Sequence, residues 1–367
     1  MIEKKKNSIE SEKINIALVG CGRISERHIK AIINENKRCR LIALCDNSEK
    51  RIKEAKESLK KEIKNTPYFE ENLKSYNSYE KMLLEHQKKH LRIDLIILTT
   101  PSGLHPNQTI LAANIGINVC TEKPMSIKLR DAEKMIKSCK TNNVKLFVVK
   151  QNRFNPTLQA LKKNVESNKF GNIGIVNINV FWQRPQSYYD QDLWRGTKEF
   201  DGGALLNQAS HYVDLLEWII GPIEGVFATV STISRNIEVE DTAVLQIKWK
   251  SGTLGTMAVT MITYPKNIEG SITIIGDKGS AKVGGIAVNE FEYCFFDDKN
   301  IENDLKKLNY STDSVYGYGH FKYYENMLDN LFDKSEAICD GISGLSSIKI
   351  INAAYKSNKD KKYIRIN

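Results

Sequence analysis

The chain has 367 residues, 41% hydrophobic, 27% charged and 8% aromatic, enough for two domains sharing an interface and too much for one simple core. Its seven cysteines are scattered without a C-x-x-C pair, which argues against a disulfide framework and a zinc cluster. The formal net charge of +10 is spread over many lysine-, glutamate- and asparagine-rich segments; with no arginine-rich patch or aromatic-interleaved basic stripe, it speaks against nucleic acid and leaves room for an anionic small molecule.

Residues 1–13 are charged and polar, so they read as a frayed tail rather than a signal peptide or anchor. No apolar run approaches the roughly 20 residues that cross a bilayer, and the expected location is the cytoplasm. From residue 14 short apolar runs alternate with amphipathic stretches, the pattern of a parallel sheet flanked by helices. Strands are predicted over 14–19, 41–45, 95–98, 117–120 and 145–149, with helices over 26–36, 105–114 and 128–140. Residues 53–72 read as a helix running into a solvated loop. From about Gly171 long alternating runs appear, over 176–182, 226–234, 243–249, 254–263 and 271–275. Turns at Ser251-Gly252 and Asp277-Lys278-Gly279 make these an antiparallel sheet. A helix over 206–220 interrupts it and stops at Gly221-Pro222. Helices return over 319–332 and 345–358. The expected fold is an α/β Rossmann domain at 14–150, then an α+β domain with a large open antiparallel sheet at 151–367, which binds substrate and oligomerises.

Gly20-Cys21-Gly22-Arg23-Ile24-Ser25 follows a strand and opens a helix. The first glycine permits the tight turn, and the second lets the backbone approach a pyrophosphate at the helix N-terminus. Ser25 replaces a third glycine and is still small. Asp46 ends the next strand, where a carboxylate accepts from ribose hydroxyls and repels a 2′-phosphate; the reading is NAD, not NADP. Thr99-Thr100-Pro101-Ser102-Gly103-Leu104-His105 follows a later strand and faces the ligand crevice, with Ser102 also a good helix cap. His86 and His90 have a zinc-ligand spacing on a helix, but no third ligand accompanies them and a solvated face is the better reading. Glu238, Glu240 and Asp241 read as a turn or an oligomer contact.

Gly20-x-Gly22, the Thr-Thr-Pro-Ser-x-x-His loop, Glu122-Lys123-Pro124 and Gly202-Gly203-Ala204-x-x-Asn207-x-x-x-His211 together resemble the Gfo/Idh/MocA oxidoreductase family, over nearly the whole chain from Ile14. Residues 149–156, 179–189, 207–214 and 263–267 look like its WlbA-type branch of UDP-N-acetyl-2-amino-2-deoxy-D-glucuronate 3-dehydrogenases. The resemblance implies NAD-dependent oxidation at C3 of a UDP-linked sugar acid for bacterial surface polysaccharide (O-antigen) synthesis, by a homotetramer. A free-sugar or inositol dehydrogenase of the family and a non-catalytic NAD-binding regulator are the alternatives. The implied cofactor residues are Gly20, Gly22, Arg23, Ile24, Asp46, Thr100, Ser102, His105, Glu122, Lys123, Asn152, Trp194 and Arg195. Substrate falls to Lys123, Arg153, Arg184, Tyr188, Tyr189, Asn207 and His211, where arginine forks match oxyanions and aromatic faces stack on a base.

Hydride transfer from a secondary alcohol needs a group to take the hydroxyl proton and a cation where oxyanion character builds. Lys123 and His211, aided by Asn207, fit these roles. One assignment makes His211 the base and Lys123 the orienting cation. However, the family's common aspartate four residues before this histidine is here Asn207, which cannot stabilise an imidazolium by charge. Lys123 with a depressed pKa is the other candidate base.

Overall fold

The computed structural model describes residues 13–63, 73–312, 315 and 317–366. The predicted N-terminal tail, up to residue 12, and the loop expected after residue 63 lie outside these.

The first domain is a six-stranded parallel sheet of β1 (Ile14–Val19), β2 (Cys39–Cys45), β3 (Lys74–Tyr76), β4 (Leu95–Leu98), β5 (Asn118–Thr121) and β6 (Leu146–Val148), ordered β3-β2-β1-β4-β5-β6. The strands are short apolar runs because helices cover both faces. Alternate side chains of β1 enter opposite cores: Ile16 and Leu18 join one cluster, Ala17 and Val19 the other. Helices α1 (Ser25–Asn34) and α2 (Glu49–Ile63) pack on the first cluster. Helices α3 (Tyr79–Gln87), α4 (His105–Ala113) and α5 (Leu129–Thr141) pack on the second. The strand order reverses between β1 and β4, and that switch point opens a crevice at their carboxyl ends. β3 had no distinct sequence signal. The predicted two-histidine helical face does not form, because α3 ends at Gln87 and Lys89 turns to φ 62°.

After α6 (Pro156–Glu166) come β7 (Ile173–Phe181), the short α7 (Gln186–Tyr189) and α8 (Ser210–Ile220). Then follow β8 (Ile223–Ser231), β9 (Thr242–Trp249), β10 (Leu254–Thr260), β11 (Glu269–Gly276), β12 (Gly279–Gly284), β13 (Glu290–Phe296) and α9 (Lys299–Lys306). With β14 (Ile364–Arg365) the strands form an eight-stranded sheet, ordered β13-β12-β11-β7-β10-β9-β8-β14. It departs from full antiparallelism at one place: β7 and β10 run parallel. The long connection between them makes that crossover possible. β9 shows the alternation that marks a one-sided sheet, with Ala243, Leu245, Ile247 and Trp249 buried and Val244, Gln246 and Lys248 exposed.

Two C-terminal helices cross back to the first domain. Tyr323, Tyr324, Met327 and Leu328 of α10 (Gly319–Leu331) join the cluster containing Ile16 and Ile29. α11 (Gly341–Asp360) places Ile348 in the first domain's other cluster, and Ile350, Ile351 and Ala354 in the core of the second sheet. A helix shared by two cores fixes the walls of the crevice between them. No helix among the described residues is long and apolar enough to cross a membrane.

Candidate active site

At the switch point Gly20 adopts φ 93°, and a Cβ there would stand 2.7 Å from the backbone carbonyl of Thr99. Only glycine allows β1 and β4 to approach so closely at this turn. A Cβ on Gly22 would meet nothing within 4 Å, so its bare backbone faces open space in the cleft. Asp46 is pinned by two backbone donors, Cys21 N–H at 2.7 Å and Ser48 N–H at 2.8 Å. Gly20, Gly22, Arg23, Ile24, Asp46, Thr100 and Ser102 line one continuous cleft with Glu122, Lys123, Tyr188, Trp194, Arg195, Asn207 and His211. The cleft has a volume of about 1210 Å³, above the roughly 300–1,000 Å³ of drug-sized ligand sites. An open glycine turn at a helix start, followed by a carboxylate at the next strand end, fits NAD.

The chemical end is built from three walls. Glu122-Lys123 follows β5. The buried Glu122 carboxyl accepts from Lys123 N–H and lies 3.0 Å from His28 Nε2, whose Nδ1 meets the Tyr324 hydroxyl at 2.7 Å. Burial alone would raise Glu122; the His28 bond, with Lys123 nearby, outweighs it and draws the carboxyl down to about 2. Both ring nitrogens of His28 are therefore engaged, which argues against its grouping with Glu122 and His320 as a metal site.

Lys123 Nζ donates to the Asn207 backbone oxygen at 2.8 Å. That oxygen belongs to a feature the sequence concealed. The predicted continuous helix over 206–220 is instead a π-turn, Ala204–Gln208, followed by α8. Gly202 and Gly203, at φ 83° and 85°, lead into it, and Ala209 N–H reaches back to the Ala204 oxygen. The widened turn takes the Asn207 carbonyl out of the helical ladder. The Asn207 side chain donates to Asp201, whose other oxygen accepts from Gly196 N–H at 2.7 Å.

His211 is buried at the start of α8, its Nε2 facing the Gln151 amide nitrogen at 3.2 Å. Burial, and then the charge of Lys123, press the imidazole down to about 3, so the ring is neutral near pH 7. Burial lowers Lys123 as well, opposed by Glu122 and Asp201.

A third wall carries positive charge around one ring. The guanidiniums of Arg195, Arg184 and Arg23 sit 4.4, 5.4 and 5.8 Å from the centre of the Tyr188 ring, within cation–π range. Arg195 also covers Trp194 at 4.8 Å and bonds Asp192. Arg51 of the first domain reaches Asp192 at 2.7 Å, tying this strap across the cleft.

Five of the predicted site residues stand apart from the cleft lining. Arg153 is buried in a fork onto Asp214, through Nε and Nη2 at 2.7 Å each, and Lys150 bonds the same carboxylate. Its guanidinium is consumed by structure, which corrects its assignment to substrate. Asn152 is buried in the same turn, and the adjacent Gln151 reaches the cleft instead. His105 is locked between the carbonyls of Pro124 and Thr100, at 2.9 Å each, so it fixes the two loops without lining the cleft. Tyr189 is buried behind Tyr188, with ring centres 5.1 Å apart. Arg184 touches Tyr188, and its guanidinium donates to Gln208, Gln183 and Asn267.

Sequence reasoning missed Gln151, Asp201 and Glu240. Glu240 is no peripheral turn residue: it is buried, accepting from Leu205 N–H and the Tyr355 hydroxyl at 2.9 Å each. For Asp201 the adjacent Gly202-Gly203 pair was the available signal. For Gln151 it was the strand end just before it.

This fold and cleft define a nucleotide-dependent oxidoreductase of two domains. The chain belongs to the Gfo/Idh/MocA oxidoreductase family: the NAD-binding Rossmann fold of that family matches residues 14–150, and its C-terminal alpha/beta domain matches residues 162–366. Among solved structures it is similar to the WlbA dehydrogenase from Bordetella pertussis in complex with NADH and UDP-GlcNAcA, at 41% identity and a TM-score of 0.84, covering 97% of this chain and 99% of that one. The WlbA dehydrogenase from Chromobacterium violaceum, solved with the same two ligands, is 44% identical with a TM-score of 0.84, over 97% and 96% of the two chains. Among characterised sequences, the myo-inositol 2-dehydrogenase of Thermotoga maritima is 25% identical over 96% of this chain and 98% of its own.

Proposed function

We propose that this protein catalyses the NAD-dependent oxidation of the C3 hydroxyl of UDP-N-acetyl-2-amino-2-deoxy-D-glucuronate to the 3-keto sugar nucleotide, in the cytoplasm, for surface polysaccharide (O-antigen) synthesis. The observation that carries the reading is that Lys123 and His211, 88 positions apart by their numbers, line one cleft with the glycine turn and Asp46. Likeness to dehydrogenases crystallised with UDP-GlcNAcA over 97% of the chain supports the substrate. So do the cations around Tyr188, which suit a ligand carrying a pyrophosphate and a carboxylate.

Bound NAD supplies the hydride acceptor. Of the two assignments of the proton, the charges favour Lys123 as the base. Glu122 and Asp201 stabilise an ammonium at that position, whereas an imidazolium at His211 is opposed by Lys123 itself. Neutral His211 then orients the hydroxyl by a hydrogen bond, with Gln151 holding the ring. Glu122, anchored by His28, fixes the backbone of Lys123. Asn207 joins the cleft wall beside both.

The outer face of the second sheet leaves Val244, Leu254 and Phe295 exposed, at 50, 52 and 60%. An apolar face of this kind supports assembly through it, as a homotetramer; sedimentation velocity at micromolar concentration is expected to detect no monomer. The catalytic reading is tested by following NADH formation with the UDP-sugar acid against myo-inositol and free hexoses. Turnover confined to the nucleotide sugar is expected. Faster turnover of inositol would replace the reading with that of a cyclitol dehydrogenase, and NAD binding without turnover of any sugar with that of a regulator.

A further inference from the structure

We infer that Asp201 is a positioning residue for the proton acceptor: it supplies, through Asn207, the carboxylate that balances Lys123. This rests on the reading in which Lys123 takes the hydroxyl proton.

Four observations carry it. Asp201 is 2% exposed and does not line the cleft, so it cannot hold substrate. A buried carboxylate of this kind is costly unless it is bonded and balanced. Its two oxygens are spent on two structures that bracket the chemistry: one accepts from the Asn207 amide and the other from Gly196 N–H, just after Trp194-Arg195 in the strap. Residue 207 in turn offers its backbone oxygen to Lys123 Nζ at 2.8 Å. Carboxylate, amide, carbonyl and amine thus form one connected unit. Asp201 is also the only unit member whose side chain can carry negative charge, although burial raises its carboxyl.

The surroundings leave Asp201 this task. The charged and titratable groups acting on Lys123 are Glu122, Asp201, Arg184, Arg23, His211 and His105. Those acting on Asp201 are Arg195 and Lys123, with Glu240, Tyr189 and Tyr355 beyond. Glu122 is already drawn to His28. Asp201 has no side-chain cation in direct contact among the described ion pairs, and its remaining influence falls on Lys123 and Arg195. The unit also explains why position 207 carries an amide. A carboxylate there would face Asp201 across a hydrogen bond, and two like charges cannot both ionise at that separation.

The test is an exchange of the two side chains. Asp201→Asn keeps an amide–amide hydrogen bond and removes only the charge. It is expected to fold and bind NAD normally, to shift the acid limb of kcat/KM downward by about one pH unit, and to lower the plateau roughly ten-fold as the base weakens. Asn207→Asp makes a carboxyl pair that shares one proton at that separation, so the net charge of the unit, and with it the limb, is expected to stay near the parent's. The double variant restores charge and hydrogen bond, and its limb returns to that of the parent with most of the turnover. A parental profile in Asp201→Asn, or a double variant no better than it, overturns the inference. If Asp201→Asn does not fold, an unmoved limb in Asp201→Ser, which also removes the charge, does so. Lys123→Met separates the two levels. Inactive Lys123→Met beside a parental Asp201→Asn sinks only the role of Asp201, whereas an active Lys123→Met with its acid limb intact sinks the lysine-base reading itself.

Discussion

Replacing Glu240 by glutamine is expected to remove a pH-dependent instability from the scaffold of the site. Glu240 sits at the root of the π-turn, where its backbone oxygen accepts from Ala204 N–H at 3.0 Å and its carboxyl from Leu205 N–H at 2.9 Å. Burial raises this carboxyl from 4.5 to about 7, against the smaller opposing pull of its hydrogen-bond donors. The folded chain therefore holds a proton that the unfolded chain has already released. Between these two values the native state binds more protons than the unfolded state, so stability falls as pH rises. The contribution is fully present below the unfolded value and lost by the time pH passes the folded one. At 1.36 kcal/mol per unit, a displacement of about 2.5 units amounts to about 3 kcal/mol. Glutamine preserves the acceptor toward Leu205 and the Tyr355 hydroxyl but never ionises. Urea denaturation of both proteins from about pH 5 to pH 8 reads the difference. Glu240→Gln should match the parent at the acid end and exceed it by about 3 kcal/mol at the alkaline end. A stability difference independent of pH would refute the reasoning, because a mere packing change has no reason to follow proton uptake.

Lys123→Ala and His211→Ala should each fold and bind NAD, yet lose turnover by at least about 10² in steady-state assays; near-parental turnover removes that residue from the chemistry. Asp214→Ala leaves Lys150 and Arg153 buried without their shared carboxylate, and a loss of about 3–5 kcal/mol is expected by chemical denaturation. Asp46→Ser removes the charge that repels a 2′-phosphate and frees the Cys21 and Ser48 amides. The ratio of kcat/KM for NAD over NADP should fall by about ten-fold or more, measured with both cofactors.

The parallel sheet was legible because each strand is a short run buried on two faces, as the four consecutive buried residues of β4 show. β3 was not, since Lys74, Ser75 and Tyr76 carry no such run and pair only at the sheet edge. Lys123 and His211 were visible because local motifs surround them. Arg153 was misjudged for a related reason: inside a motif an arginine looks functional, and the carboxylate that consumes it lies 61 residues away. Glu240 escaped notice because its partners, Leu205 and Tyr355, lie 35 and 115 positions from it. The π-turn was hidden differently. Its apolar spacing continues into α8, and what breaks the helical ladder there is a pair of left-handed glycines and a lysine from another domain, neither of which alters the periodicity.

Two lysines enter the same region from the first domain's strand ends, and their partners separate their roles. Lys150, after β6, contacts the Asp214 carboxylate directly, with Ser347 and the Ser343 oxygen completing its donors. Burial lowers this amine, but Asp214 in direct contact favours its charged form, and losing the proton would remove one of its three donors. Lys123, after β5, bonds a neutral carbonyl, and the Asp201 carboxylate stands one hydrogen bond further away. Its charged form is supported without being locked, and its neutral form strands no ion in direct contact. That looser pairing suits the base role proposed for Lys123, which would require it to release a proton before each turnover and accept one during it. Moving a carboxylate into direct contact with Lys123 would strengthen the ammonium and slow oxidation near neutral pH. On the proposed reading, a structural lysine differs from a titrating one by whether a carboxylate bonds the amine directly: Asp214 bonds Lys150, whereas Lys123, which lines the cleft, bonds a neutral carbonyl.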